Sequence, residues 1–253
     1  MRVAVVSDIH SNLHALEAVL AAIDADAPDE LWCLGDLVGY GARPNECCAL
    51  IAERADVCLV GNHDLAVRGT IDLAEFGGEA GVAARWTREV LEPDAQELLE
   101  RLEPQGAAHG VALYHGSARD PIWEYVLSDE AAFVTIVLAN VPLVLVGHSH
   151  VALQIALTGE EIGGGVAPAG TELELGGVQA LLNPGSVGQP RDGDPRCAYA
   201  VIEDGKVQFR RVAYDIDAAV GHMRDAGIAP HALALAESAL RTGGRLPAKL
   251  EGK

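Results

Sequence analysis

Residues 1–20 read MRVAVVSDIHSNLHALEAVL, and this stretch decides how the rest of the chain is interpreted. A β-branched run over residues 2–7 precedes apolar residues at helical spacing over residues 12–25, which predicts a strand followed by a helix. Asp8 and His10 lie between the two predicted elements. The stretch therefore predicts a strand whose carboxyl end carries functional side chains, which is where open α/β sheets bind ligands.

The alternation of strand and helix continues outward from this segment. Short apolar runs predict further strands at 31–34, 57–60, 111–114 and 143–146. Apolar residues at helical spacing predict helices at 45–54, 79–91, 94–102 and 129–139. This order is typical of βαβ crossovers, in which successive strands run parallel.

The chain changes character after residue 150. Short strand-like runs separated by Gly, Pro and Asp are predicted at 151–157, 171–175, 178–182, 197–202 and 206–212. The last two runs are joined by Glu203, Asp204 and Gly205, which indicates a β-hairpin. Two helices are predicted at 215–226 and 230–241. The Gly-rich stretch 159–170 is predicted to be a surface loop, and the tail 242–253 is expected to fray.

These elements predict an α/β fold (α+β in some schemes) with two packed mixed β-sheets flanked by helices. No composition shift marks a linker, so we expect one domain over residues 1–253. Its motif core would span 1–212, and its C-terminal helices and tail 213–253.

Composition excludes several classes of protein. The 253 residues contain 18 Lys and Arg against 37 Asp and Glu, a formal net charge of −19. Such a surface disfavours stable binding to nucleic acid or to an anionic membrane. No apolar stretch approaches the roughly 20 residues of a membrane span, and the start does not resemble a signal peptide. Five cysteines without CxxC spacing are expected to be reduced, and we predict a soluble cytoplasmic protein.

Five of the predicted strands are followed directly by Asp, Asn or His. The polar residues are Asp8 and His10, then Asp36, then Asn62, His63 and Asp64, then His115, and finally His148 and His150. Because the carboxyl ends of parallel strands meet in one crevice, these side chains are expected to converge. Oxygen and imidazole donors without thiolate suit Mn, Fe, Co, Ni or Zn better than Mg.

The motifs D-x-H, G-D-x-x-G, G-N-H-[DE], H and G-H-x-H occur complete and in this order over residues 8–150. In this the sequence resembles the calcineurin-like metallophosphoesterase superfamily. The segments 38–41 (VGYG) and 183–192 (NPGSVGQPRD) resemble its small bacterial and archaeal phosphodiesterase-like branch. The resemblance extends to about residue 212.

The resemblance implies a role for each matching residue. One divalent metal ion would be held by Asp8, His10, Asp36 and His150. Asp36 would bridge to a second ion, completed by Asn62, His115 and His148. His63 would contact the phosphoryl group or protonate the leaving oxygen, and Asp64 would orient it. Manganese is the first expectation for both ions, with iron, nickel, cobalt and zinc as alternatives.

Two ions of this kind can share a hydroxide that attacks phosphorus in line. The predicted activity is therefore hydrolysis of small phosphate esters by a phosphodiesterase or phosphatase. The alternatives are a hydrolase of nucleotides or dinucleoside polyphosphates, a serine/threonine protein phosphatase and, in a different class, a non-catalytic metal-binding scaffold. A homo-oligomer is left open.

Several other features carry two interpretations. Arg191 could clamp a phosphate oxygen, or form a surface ion pair with Asp192 or Asp194. Helices over 79–102 could cap the crevice or be scaffold. Aromatic residues that could line a pocket, with core packing as the default, are Tyr40, Trp86, Trp123 and Tyr125. Histidines expected at the surface outside the motifs are His14, His109, His222 and His231.

Overall fold

A computed structural model describes residues 1–245 of the chain. Its strands are β1 (Arg2–Val6), β2 (Glu30–Cys33), β3 (Val57–Cys58), β4 (Gln105–Ala108), β5 (Val111–Tyr114), β6 (Leu143–Val146), β7 (Ala152–Thr158), β8 (Glu161–Val166), β9 (Glu172–Glu174), β10 (Gln179–Pro184), β11 (Cys197–Glu203) and β12 (Lys206–Val212). Its helices are α1 (Leu13–Asp26), α2 (Pro44–Arg54), α3 (Asn62–Val67), α4 (Gly78–Val90), α5 (Pro93–Arg101), α6 (Asp129–Ala139), α7 (Ile216–Asp225) and α8 (Pro230–Thr242). A short 3₁₀ helix covers Leu73–Glu75.

The strands form two mixed sheets of six strands each. The first has the order β3-β2-β1-β11-β12-β9, and the second β4-β5-β6-β10-β7-β8. In the first sheet, β1, β2 and β3 run parallel, while β11 and β12 run antiparallel to their neighbours. In the second, β5, β6 and β10 run parallel. The predicted fold, two mixed sheets flanked by helices, is confirmed.

The two sheets pack face to face through one apolar layer. Val5 and Trp32 of the first sheet belong to the same buried cluster as Leu113, Leu145 and Leu182 of the second. Each large apolar side chain in such a layer contributes roughly 1.5–3 kcal/mol by leaving water. This layer fixes the two sheets against each other, so that the carboxyl ends of their parallel strands meet at one edge.

Helices cover the outer faces of the sheets. Helix α1 begins after Asn12, whose side chain accepts a hydrogen bond from the backbone N–H of Ala15. It buries Leu16, Val19 and Ile23 against the first sheet. Helix α6 packs on the second sheet through Ala132 and Ile136. No helix within the described residues is both long and apolar enough to span a membrane.

Two strands were missed by the sequence prediction. The stretch 159–170, predicted to be a loop, contains β8, which pairs antiparallel with β7. Its glycines carry no β-signal, and pairing with β7 decides its conformation. Strand β4 is missed for the same reason, since its sequence QGAA has no β-branched residue. The expectation for the tail 242–253 falls largely on residues 246–253, outside the described residues.

The hairpin predicted around Asp204 and Gly205 is confirmed. Glu203 pairs with Lys206, so the loop contains two residues, and both have positive φ, 49° and 76°. This is the backbone of a type I′ turn, which matches the twist of the flanking strands.

Candidate metal centre

The motif residues lie where five parallel strands end. The loops after β1, β2 and β3 in the first sheet face the loops after β5 and β6 in the second. Five of the motif residues adopt the left-handed region that L-residues rarely occupy, with φ between 51° and 63°: Asp8, His10, Asp36, His148 and His150. Backbone strain of this kind persists where the surrounding structure fixes it, and it concentrates at functional sites.

The side chains form two groups that share one carboxylate. Ligand atoms of Asp8, His10, Asp36 and His150 lie within 4.8 Å of one another, and so do those of Asp36, His115 and His148. All of these side chains are buried. The structure therefore brings together the carboxylates and histidines that the resemblance implies for two ions.

Asp36 lies between the two clusters. Its Oδ1 atom accepts a hydrogen bond of 2.9 Å from the backbone N–H of His63. Its Oδ2 atom has no hydrogen-bond partner and lies 3.6 Å from Nε2 of both His10 and His115. Gly61 makes room for this carboxylate, because a Cβ there would lie 2.0 Å from Oδ1. One oxygen of Asp36 is thus anchored and the other is shared.

Backbone carbonyls orient the four histidines of the clusters. The carbonyl contacts are His10 Nδ1 to Val38 (3.1 Å), His115 Nδ1 to Leu34 (2.8 Å), His150 Nδ1 to Gln189 (2.6 Å) and His148 Nε2 to Trp123 (3.2 Å). Since a carbonyl oxygen only accepts, the contacting nitrogen donates in each case. For His10, His115 and His150 the other ring nitrogen is Nε2, which lies 3.4 to 3.6 Å from a carboxylate oxygen of Asp8 or Asp36. This is the arrangement found in metal-ligating histidines.

Burial sets the charge of these groups when no cation is bound. It raises the pKa of Asp8 to about 7 and raises the pKa of Asp36, which the Asp64 carboxylate raises further. Burial also lowers the pKa of His10 and His150 well below the ordinary value. A buried carboxylate without a cation is costly, and a neutral imidazole is ready to bind one.

The donor set fits divalent cations. Both carboxylate oxygens of Asp8 and one of Asp36 are buried without any hydrogen-bond partner, although native structures satisfy most buried acceptors. Asn62 adds a neutral amide oxygen, with Oδ1 3.2 Å from Nε2 of His115. Oxygen and imidazole donors without a thiolate match Mn, Fe, Co, Ni and Zn.

His63 lies beside the clusters and is buried. Its ring centroid is 4.8 Å from that of His10, and its Nδ1 atom has no hydrogen-bond partner. A Cβ at Gly39 would lie 2.6 Å from this nitrogen, so glycine leaves space for the ring. Burial, followed by the charge of Arg191, lowers the pKa of His63 to about 3. The free site therefore presents a neutral imidazole.

Asp64 contacts the backbone of the loops around His63 rather than the His63 ring. Its carboxylate accepts hydrogen bonds from the backbone N–H groups of Gly61, Leu37 and Val38, at 2.9, 3.2 and 2.9 Å. Because Nδ1 of His63 is without a partner, Asp64 does not orient the ring through that atom. Asp64 instead joins the loops after β2 and β3, and it fixes the backbone from which His63 projects.

Arg191 lies near enough to the clusters for its charge to lower the pKa values of Asp8, His10 and His63. Its guanidinium donates to Gln189 Oε1 at 2.9 Å and to the hydroxyl of Tyr40 at 3.2 Å. The Cζ atom of Arg191 lies 5.8 Å from the centroid of the Tyr40 ring. Within the described residues it forms no ion pair with a carboxylate. The two acidic residues considered as partners are paired elsewhere, Asp192 with Arg211 and Asp194 with Arg196.

Of the four aromatic residues considered from the sequence, three lie at the site and one lies in an apolar cluster. Tyr40 packs 4.7 Å from His63, and Tyr125 stacks on His148 at 4.0 Å, so both lie at the site. Trp123 lies there too, through its carbonyl contact with His148. Trp86 instead packs against the apolar cluster of α7 and α8. Phe76, 5.0 Å from His63, is a site residue that sequence reasoning missed, because it precedes the helices considered as a cap.

The helices over 79–102 pack against other helices. Helix α4 packs on α3 and α8, and α5 packs on α2. Ala95 and Leu99 of α5 belong to the apolar cluster of the first sheet. The segment that reaches the site is the 3₁₀ helix and Phe76, directly before α4.

His109 and His222 were expected at the surface without partners, but each contacts another side chain. His222 Nδ1 lies 3.1 Å from His14 Nε2, and His109 Nε2 lies 2.9 Å from Glu30 Oε1. His14 and His222 come from α1 and α7, which are 208 residues apart at this contact. No local sequence pattern indicates a contact over that separation, so only the fold reveals it.

Comparison with known proteins is consistent with this geometry. A family model described as the calcineurin-like phosphoesterase superfamily domain matches residues 1–205. An uncharacterised protein of Methanocaldococcus jannaschii is 39% identical over 221 residues, which cover 85% of this chain and 88% of that protein. The crystal structure of a metallophosphoesterase from Sphaerobacter thermophilus superposes with a TM-score of 0.84 at 39% identity, covering 96% of this chain and 99% of that one.

A more distant match carries an activity in its name. The symmetrical bis(5′-nucleosyl)-tetraphosphatase of Ectopseudomonas mendocina is 34% identical over 116 residues. The match covers 43% of this chain and 40% of that protein.

Proposed function

The chain belongs to the calcineurin-like phosphoesterase superfamily and is a phosphoester hydrolase; from that premise we propose a phosphodiesterase or phosphatase, dependent on two divalent ions, that acts on small phosphate esters. One observation carries the proposal. Three buried carboxylate oxygens without partners, from Asp8 and Asp36, face imidazole nitrogens whose lone pairs are fixed toward them. Divalent cations satisfy such a set of oxygen and imidazole donors.

We assign the ligands as the sequence suggested. The first ion would be held by Asp8, His10, Asp36 and His150, and the second by Asp36, Asn62, His115 and His148. When bound, two such ions supply Lewis-acid polarisation of the phosphoryl group and activation of water. Manganese is the first candidate, and iron, nickel, cobalt and zinc are alternatives that fit the same oxygen and imidazole donors.

Arg191 would bind the phosphate. Its guanidinium lies near the clusters, it lacks an acidic partner within the described residues, and Tyr40 and Gln189 hold it in place. A guanidinium recognises phosphate oxygens by charge-assisted, often bidentate hydrogen bonds. The site thereby attracts an anion locally in a chain with a net charge of −19.

His63 would act on the side of the phosphate that borders Tyr40 and Phe76. As a neutral imidazole it can donate an N–H to a phosphoryl oxygen, which positions the ester. If it carries a proton in the complex, it can instead deliver that proton to the leaving oxygen. A bound phosphate counteracts the charge of Arg191, one cause of the lowered pKa of His63, and so favours the protonated form.

The test starts from protein stripped of metal by a chelator. Phosphomonoesters and phosphodiesters are then assayed with Mn, Fe, Co, Ni or Zn added separately, and bound metal is counted by elemental analysis. We expect about two ions per chain and hydrolysis that appears only with metal. Stoichiometric metal without hydrolysis of any ester would favour the non-catalytic scaffold.

A second candidate is hydrolysis of dinucleoside polyphosphates. The observation in its favour is the partial match to the symmetrical bis(5′-nucleosyl)-tetraphosphatase. In the same assay, a bis(5′-nucleosyl) tetraphosphate would then yield two nucleoside diphosphates, at a kcat/KM above that of the simple esters.

A further inference from the structure

Three aromatic side chains border the phosphate site, and we refer to Phe76, Trp123 and Tyr125 as the aromatic rim. Phe76 follows the 3₁₀ helix and packs edge-on to His63, with centroids 5.0 Å apart. Its ring lies 5.4 Å from that of Trp123. Trp123 and Tyr125 belong to the connection between β5 and α6. The rim therefore runs from His63, beside one metal cluster, to His148 in the other.

Tyr125 gives the rim an accessible aromatic surface. Its ring stacks on that of His148 with an interplanar angle of 11° and a centroid distance of 4.0 Å. The residue is nevertheless 45% exposed, although the imidazole covers one face of the phenol ring. Trp123 beside it is half-buried. A flat ring fixed next to a phosphate site and open to solvent is suited to stack another flat ring.

Resting on the proposed function, we propose that the aromatic rim binds a planar aromatic group of the substrate ester. The substrate class is then an aryl-bearing or nucleobase-bearing phosphate ester rather than an alkyl or sugar phosphate. The phosphate would lie between Arg191 and the metal clusters, and the ring would stack on Tyr125 and against Trp123. Tyr125 would thus determine specificity without taking part in bond cleavage.

The experiment compares two esters of equal size. Benzyl phosphate and cyclohexylmethyl phosphate both release a primary alkoxide, and they differ in whether the ring is planar and aromatic. Aromatic pairs are worth about 0.5–1.5 kcal/mol beyond their buried area, so we expect kcat/KM to favour the benzyl ester roughly 2- to 10-fold. Tyr125→Leu should abolish the preference, and Tyr125→Phe should keep it.

Phe133 provides the matched control. It is a similarly exposed ring, at 41%, on α6. Phe133→Leu removes an equivalent aromatic surface without altering the rim, so its ester preference should equal that of the parent. Metal content is measured for each variant, because Tyr125 also packs on His148.

Direct binding gives a second readout that is independent of turnover. Calorimetric titration of benzylphosphonate and cyclohexylmethylphosphonate, which are not hydrolysed, should show the same preference and its loss in Tyr125→Leu. Hydrolysis of both esters at equal kcat/KM, with equal phosphonate affinities, would overturn the aromatic subsite and leave the proposed function standing. If no metal restores hydrolysis of these two monoesters or of the phosphodiesters in the assay above, the proposed function fails and the subsite fails with it.

Discussion

Two pairs of histidines in this molecule have almost the same geometry and different surroundings. His10 and His150 approach to 2.9 Å between their Nε2 atoms, with ring centroids 4.7 Å apart. His14 and His222 approach to 3.1 Å, with centroids 4.8 Å apart. The first pair lies in the metal crevice and the second between α1 and α7. Imidazole spacing alone therefore does not distinguish a metal site from a hydrogen-bonded pair.

The charged side chain beside each pair distinguishes the two. Asp8 Oδ1 lies 3.4 Å from Nε2 of His150, and it has no hydrogen-bond partner. Arg43 Nη1 occupies the corresponding position in the other pair, 3.4 Å from Nδ1 of His222. A carboxylate stabilises a cation between two imidazoles, whereas a guanidinium repels it. Unpaired acceptors and the sign of the neighbouring charge therefore distinguish the metal site from the hydrogen-bonded pair.

The largest expected effect comes from removing the shared carboxylate. Asp36→Asn keeps the shape of the side chain and removes the charge that serves both clusters, so we predict loss of both ions and of nearly all activity. Elemental analysis checks this directly. In the chelated protein the variant should unfold at a temperature no lower than the parent, because burial already disfavours the charged form of Asp36. Two ions retained per chain would contradict the shared role.

The next prediction separates the two roles of His63. If His63 protonates the leaving oxygen, His63→Ala should lower kcat for alkyl esters by about 10²–10⁴-fold and lower it much less for nitrophenyl esters. A nitrophenolate is a good leaving group without a proton, whereas an alkoxide leaves readily only when it is protonated. Metal content should stay near two ions per chain. Equal losses on both ester types would assign His63 to positioning the phosphoryl group.

A third prediction compares two arginines. Arg191→Met should raise KM for phosphate esters roughly 10- to 100-fold, because a charge-assisted hydrogen bond contributes about 1.5–3 kcal/mol. Arg43, which pairs with Glu46 beside His222, provides the control. Arg43→Met should leave KM unchanged. Equal KM values for parent and Arg191→Met would remove Arg191 from the phosphate site.

A fourth prediction concerns the chelated protein at low pH. Burial holds four histidines neutral when folded: His10, His63, His148 and His150. The unfolded chain protonates them near pH 6.5, so their contribution to stability is lost as pH falls through that value. Burial raises the pKa of three carboxyls, Asp8 (to about 7), Asp36 and Asp64, which opposes this loss of stability above the ordinary carboxyl pKa of about 4.

Between about pH 6 and 5, four imidazoles bind protons only in the unfolded chain and at most three carboxyls bind them only in the folded protein, so the chelated protein should lose stability over this interval. Each net proton contributes about 1.4 kcal/mol per pH unit. Thermal unfolding at several pH values measures the slope. A rise in stability over this range would mean that the raised carboxyl pKa values dominate.

The sequence predicts the features that a local residue pattern encodes, and it does not predict those that depend on tertiary contacts. The positions of Asp8, Asp36 and His148 were predictable, because each follows an apolar run that must be a buried strand. The carbonyls of Val38 and Gln189, which fix the imidazole tautomers, were not, since every residue has a carbonyl. Long-range tertiary contacts, such as that between α1 and α7, leave no local pattern.

The smallest expected effect, from the second histidine pair, tests the comparison most strictly. His14→Gln removes one of two imidazoles whose spacing matches that of the metal crevice, and it should leave both bound ions and kcat/KM unchanged. The loss of one half-buried hydrogen bond costs about 0.5–1.5 kcal/mol, which lowers Tm by a few degrees in a chain of this size. The matched change His10→Gln should instead reduce metal content. If His14→Gln also lowers metal content, imidazole spacing alone suffices to bind a cation, and the argument from the neighbouring charge fails.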